Sequence, residues 1–139
     1  MRIDYQVIGI PKPQARPRVF YGVKKGKGFV HAYSPKTTWF ELVYTETLKI
    51  KNSLKNRLSG ALRLHLVFCL PIPKSISKKK RLELHYVTKK PDLDNLAKAV
   101  MDAINNVGLW EDDSQVSILE VSKIYSDEPR CLITIEEIV

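Results

Sequence analysis

Apolar and polar residues alternate in some stretches of this chain and recur at helical spacing in others, and the switches between the two periods mark its elements. Ile3 to Ile10 is rich in β-branched and aromatic residues and stops at Pro11, which has no backbone donor to continue a ladder, so a first strand is predicted there. Two short apolar runs, Val19 to Val23 and Phe29 to Tyr33, flank K-K-G-K-G, the mark of a hairpin with a basic, glycine-containing tip. From Thr37 the period lengthens. Phe40, Val43, Tyr44, Thr47, Ile50, Leu54 and Leu58 fall on one stripe, predicting a long amphipathic helix that ends near Gly60. Ala61 to Leu70 alternates, with its leucines facing a core. Pro71-Ile72-Pro73 stops that strand, and Ser75 or Ser77 can cap a short helix opening on Lys78, Lys79, Lys80 and Arg81.

Pro91 disfavours helix at Lys90 and Asp92 is a good N-cap, so a second long helix is expected from about Leu93 to Asn106, stopping near Gly108. Leu93, Leu96, Ala97, Val100, Ile104 and Val107 form its apolar stripe, with Asp94 and Lys98 four residues apart on a polar flank. Val116 to Tyr125 alternates but changes phase between Ile118 and Leu119, suggesting a bulge or twist. A turn at Ser126 to Pro129 leads to a last strand, Cys131 to Ile135, expected as the hairpin partner of the strand before it.

The 139 residues suit a single domain spanning 1–139, with no internal repeat or linker. Cys69 and Cys131 stand in apolar runs without a Cys or His at ligand spacing, so they read as free buried thiols and imply neither a zinc site nor a disulfide framework. His31, His65 and His85 are isolated from one another. No signal-peptide core or membrane-length apolar run is present in the sequence, and a cytoplasmic protein is expected.

Charge changes the picture. The net charge is +8 and the pI about 9.5, a balance that favours a polyanionic partner and is equally a solubility device. Yet Pro91 to Asp113 holds six of the fifteen acidic residues and one base, Lys98, leaving 22 bases against 9 acids elsewhere. Carboxylates repel phosphate, and a hard divalent cation between them would remove the conflict. Asp92 and Asp94 at the helix entrance and Asp113 before the next strand are therefore candidate metal ligands, with Lys98 placed to stabilise charge on a reacting phosphate. Each has a plainer reading: Asp92 as a cap, Asp94 with Lys98 as a surface pair, Glu111-Asp112-Asp113 as a solvated turn. The loop P-K-P-Q-A-R-P-R has three prolines that fix where Lys12, Arg16 and Arg18 point, suiting either phosphate contact or a solvated connector. Pro91-Asp92 with Glu120 and Lys123 imitates another nuclease pattern, but Glu120-Val121-Ser122-Lys123 has one residue too many between acid and base.

The run P-D-L-D-N-L-A-K-A-V-M-D-A-I, followed by G-L-W-E-D-D-S-Q-V, resembles the signature of the RusA family of Holliday junction resolvases, endodeoxyribonucleases associated with phages and prophages. Its D-L-D-N-L-x-K, the downstream Asp102 and W-x-D-D-x-Q-V stand in the family's order and spacing. The resemblance implies an α+β fold, a small mixed sheet packed against two main helices, in a homodimer. It further implies Mg²⁺-dependent cleavage of four-way DNA junctions by paired nicks in recombination and repair, with Mn²⁺ able to substitute. Asp92, Asp94 and Asp113 would be catalytic with Lys98 assisting and Asp112 a less central ligand; Asp102 matches the pattern, but its place further round the polar side of the helix suggests a structural or supporting role. The DNA-binding candidates are Lys12, Arg16, Arg18, Lys78, Lys79, Lys80, Lys89, Lys90 and Lys123. Two other readings remain open from the residues: a non-catalytic basic nucleic-acid-binding protein, and a dimeric structural or replication-accessory protein.

Overall fold

A computed structural model describes residues 1–14, 18–33 and 37–139. Six strands and three helices follow in the order β1 (Arg2–Ile8), β2 (Arg18–Lys24), β3 (Lys27–Tyr33), α1 (Thr38–Asn52), β4 (Leu62–Pro71), α2 (Lys78–Arg81), α3 (Leu93–Val107), β5 (Val116–Ser126) and β6 (Arg130–Glu137), with a 3₁₀ turn at Asp113–Gln115. One sheet has the strand order β1-β6-β4-β5; β2 and β3 form a separate two-stranded ribbon. The larger sheet is mixed, because β4 and β5 run parallel while β6 is antiparallel to both β1 and β4. This is an α+β fold.

The parallel pair corrects the expected hairpin between the last two strands. Strands joined through a helix return in parallel, and α3 makes that crossover between β4 and β5. β4, buried at Leu62, Leu64, Leu66, Phe68 and Leu70, takes the sheet's interior, and β6 lies on its other side. The phase change in β5 is real: Leu62 faces Val116 while Arg63 faces Ile118, so Ser117 is the extra residue, just before the expected position.

α1 is shorter than its stripe predicts. Thr37 caps it through Phe40 N, but the helix stops at Asn52, where the Ser53 hydroxyl turns back to the Ile50 carbonyl. Leu54 and Leu58 still face the core from outside the helix, because Leu58 forms a bridge with Trp110. α3 ends at Gly108 in the left-handed conformation (φ 80°) favoured at such termini. Its inner face is lined by Leu96, Ala97, Ala99, Val100, Ala103 and Ile104, and the three alanines let it lie close against α1 and the sheet. Tyr5 and Thr47 share a 2.8 Å hydrogen bond inside this core. No helix of the described residues is long and apolar enough to cross a membrane.

Candidate active site at the mouth of α3

Asp92 is placed by a chain of backbone contacts that begins on β5. Residues 85–87 run along that strand's outer edge, with Tyr125 N donating to His85 O and Val87 N donating to Lys123 O. Lys123 is paired with buried Phe68, so it projects on the sheet's inner side, toward α3. Its ammonium donates to the carbonyls of Lys89 (2.6 Å) and Pro91 (2.8 Å), on either side of the cis Lys90–Pro91 peptide. Lys123, expected among the DNA contacts, holds the loop that presents Asp92. No local pattern signals this role, since the contact joins residues more than thirty positions apart.

Asp92 occupies the N-cap position of α3, but its side chain makes no capping hydrogen bond. The plainer reading of this residue as a cap is therefore not realised. Asp94 accepts from Asn95 N at 2.9 Å. Salt bridges of the described residues lie elsewhere, joining Arg2 to Asp4 and Glu136, Lys49 to Glu46, and Arg130 to Glu128, so Asp94 and Lys98 are not tied together as a surface pair. Asp94, Lys98 and Asp102 follow one another at four-residue spacing on the exposed side of the helix.

Asp113 arrives from the other direction. Trp110 is fully buried and donates through Nε1 to Asn105 Oδ1, anchoring the chain to α3 before the acidic turn begins. Asp112 caps the 3₁₀ turn, and its hydrogen bonds with Ser114 hold its carboxylate below the ordinary range. Gln115 then fixes the turn. Its Oε1 accepts from Glu111 N (2.8 Å) and Asp112 N (3.0 Å), while Nε2 donates to Leu58 O (3.3 Å) and Gly60 O (3.1 Å).

Asp102, expected from its place on the helix to have a structural or supporting role, connects these parts. Burial raises its carboxyl pKa, Lys98 opposes that rise, and the carboxylate of Asp113 reinforces it. The structure thus draws Asp113 toward the middle of α3. A rise of 1.5 Å per residue separates Asp92 from Asp102 by about 15 Å along the axis. The carboxylates consequently form a file along α3, and among the described residues no group of three or more His, Cys, Asp or Glu stands close enough to hold one ion. The expected gathering of Asp92, Asp94 and Asp113 on a common centre is not met as a ready-made cage. Their hard oxygen donors instead fit Mg²⁺ in the manner usual for that ion, one or two carboxylates with water and phosphate completing the shell.

Beside Asp92 opens a groove of about 1250 Å³ between the 10–14 loop, the start of α1 and the start of α3. Lys12, Lys90 and Lys98 line it with Asp92, and Trp39 and Leu42 form its apolar wall. Gln14 N, bonded to Asn95 O at 3.1 Å, pins the loop to α3. Of the other predicted cations, Lys78, Lys79, Lys80 and Lys89 are exposed, Arg18 opens β2, and Arg16 lies outside the described residues.

Carboxylates and ammonium groups stand together at the edge of a groove on a chain of net charge +8, an arrangement chemically suited to meeting a phosphodiester backbone. Comparison with known proteins makes the class specific. Residues 9–136 match the family described as Endodeoxyribonuclease RusA. The chain is 36% identical to a Bacillus subtilis (strain 168) protein called "Uncharacterized protein YqaN", across 98% of this chain and 96% of that one. It is 30% identical to "Crossover junction endodeoxyribonuclease rusA" of Lactococcus phage r1t, across 84% of this chain and 86% of the relative. The chain belongs to the RusA endodeoxyribonuclease family.

Proposed function

We propose that this endonuclease is a Mg²⁺-dependent Holliday junction resolvase, acting as one domain over residues 1–139 and as a homodimer on four-way DNA in recombination and repair, in the cytoplasm. The observation that carries this reading is the uncapped carboxylate of Asp92 at the mouth of α3, facing the same groove as Lys12, Lys90 and Lys98. Asp92, Asp94 and Asp113 are the candidate ligands, of which one or two would meet the ion with water and phosphate completing its shell; the ion would supply Lewis-acid stabilisation of the phosphodiester, and Mn²⁺ is expected to substitute. Lys98 faces the charge that grows on the scissile phosphate, and Lys12 and Lys90 hold its neighbours. Asp102 places a carboxyl group within electrostatic reach of Lys98, while Lys123 and Gln115 hold the two carboxylate-bearing segments in place.

Asp94→Asn tests the reading directly. It should abolish Mg²⁺-dependent nicking of a labelled four-way junction while binding survives or tightens, since one negative charge facing phosphate is gone. Wild-type protein that binds the junction tightly and leaves it uncut in Mg²⁺ would show a non-catalytic binding protein instead.

A further inference from the structure

From Tyr5 to Phe40 the chain contains no Asp or Glu and seven Lys or Arg residues. Within that stretch stands the β2–β3 ribbon, whose strands, among the described residues, form a two-stranded sheet of their own. Its register sets Val19, Tyr21 and Val23 along one face, with Val30 opposite Tyr21. These four are 52%, 80%, 77% and 63% exposed, respectively. The other face is differently arranged: a side-chain carbon built at Gly22 would meet the Phe29 ring at 2.4 Å, so that ring covers the ribbon there. A lone two-stranded ribbon is marginally stable in water, and an open apolar stripe on a cationic arm marks a contact surface.

The ribbon's roots fix where it works. Gln14, shortly before β2, is bonded to α3, and Thr37, shortly after β3, caps α1. Both line the groove that holds Asp92 and Lys98, so the ribbon rises from the rim of the active site.

We propose that the ribbon reads the branch point of the DNA: its apolar face covers base faces left open where the arms part, and Lys24, Lys25 and Lys27 at its tip hold phosphates of an adjoining arm. This rests on the junction-cleaving reading above. Charge selects the occupant, since a second copy would bring the same acid-free arm against the first, whereas DNA supplies the opposite sign. Duplex DNA keeps its base faces stacked and shows only edges, giving a valine and tyrosine surface nothing apolar to cover. At a branch, the last pair of each arm presents a face on which an aromatic ring stacks. The ribbon therefore adds affinity for junctions and little for duplex.

The test uses Tyr21→Ala, Tyr21→Phe and the double variant Val19→Ser, Val23→Ser, with binding to a four-way junction and to duplex of the same sequence measured in chelator. Tyr21→Ala and the double variant should bind the junction about tenfold more weakly and the duplex within about twofold of wild type. Wild type and Tyr21→Phe should quench 2-aminopurine placed at the branch, and Tyr21→Ala should not. Val19, Tyr21 and Val23 are exposed and lie outside the buried core, so the thermal midpoint of all three variants should match wild type. Equal losses on both DNAs, or retained discrimination with quenching intact, overturn the proposal. A change in sedimentation without a change in discrimination assigns the face to a second copy and also overturns it. Wild-type junction cleavage is measured alongside: its absence would remove the resolvase reading, whereas normal cleavage with discrimination intact in Tyr21→Ala removes only the ribbon's role.

Discussion

Gln115 has four hydrogen bonds for one uncharged side chain, and all of them serve the turn that carries Asp113. Gln115→Ala frees the turn from the 58–60 segment, at a stability cost of about 1–2 kcal/mol because the released backbone groups are near water. Cleavage should fall further than stability explains, by about tenfold to a hundredfold, since misplacing a reacting group by an ångström has that effect. Junction affinity in chelator should hold; a loss of binding equal to the loss of cutting would contradict a positioning role. Asp102 permits a second test. Its native pKa lies above the ordinary 3.8, so the folded state keeps the proton to higher pH than the unfolded chain. Stability contributed by this group is thus greatest at low pH and declines as pH rises above about 3.8. Asp102→Asn should raise the melting temperature in chelator at neutral pH, with the gain shrinking to nothing as pH falls below that value. A gain independent of pH would point to packing instead of charge. Neither role is legible in sequence. W-x-D-D-x-Q-V shows which residues recur together, but Gln115 reaches partners 55 and 57 positions away, and Asp102 meets Asp113 only after the chain has reversed.

At the scale of elements, legibility follows the range of the forces involved. α3 is readable because its stripe, Pro91, Asp92 and Gly108 are all local signals. The β2–β3 hairpin and the Ser77-capped α2 are readable for the same reason. The end of α1 is not, because Leu54 and Leu58 continue a helical spacing that is satisfied by contact with Trp110 and the core outside any helix. Nor is the partner of β6, since apolar alternation shows that a strand has a buried face and not which strand lies beside it. α2 shows the same limit for function. Lys78, Lys79 and Lys80 crowd the first turn of a helix of four residues, where like charge opposes the backbone dipole. All three are exposed, so the cluster is free to meet phosphate. Replacing them together by alanine should weaken junction and duplex binding alike and reduce the steepness of log affinity against log salt by about one for each phosphate no longer neutralised. An unchanged slope would make α2 a solvated cap on the sheet's end.

A resolvase must cut two strands of like polarity at symmetric places, and a single active-site groove of this size cuts one. A two-fold dimer supplies two equivalent sites to a nearly two-fold substrate, which is the physical motive for the homodimer proposed above. The dimer also makes a prediction that no monomer shares. Wild-type and Asp94→Asn protomers carrying different tags are co-expressed, and the mixed dimer is purified through both tags. Presented with a cruciform in a circular plasmid, the mixed dimer has one competent site, so the circle should be nicked once and persist, whereas wild type should linearise it. The reason lies in lifetime: after one cut the cruciform can lose its supercoiling and reabsorb its arms before a second protein arrives, so linear product requires both cuts within one encounter. Linear product from the mixed dimer at a rate comparable to wild type would mean that the sites act independently on separate encounters, and the two-fold arrangement would then explain nothing about the reaction. Accumulation of nicked circle, with binding equal to wild type, ties the geometry of the single chain at the mouth of α3 to the symmetry of the whole assembly.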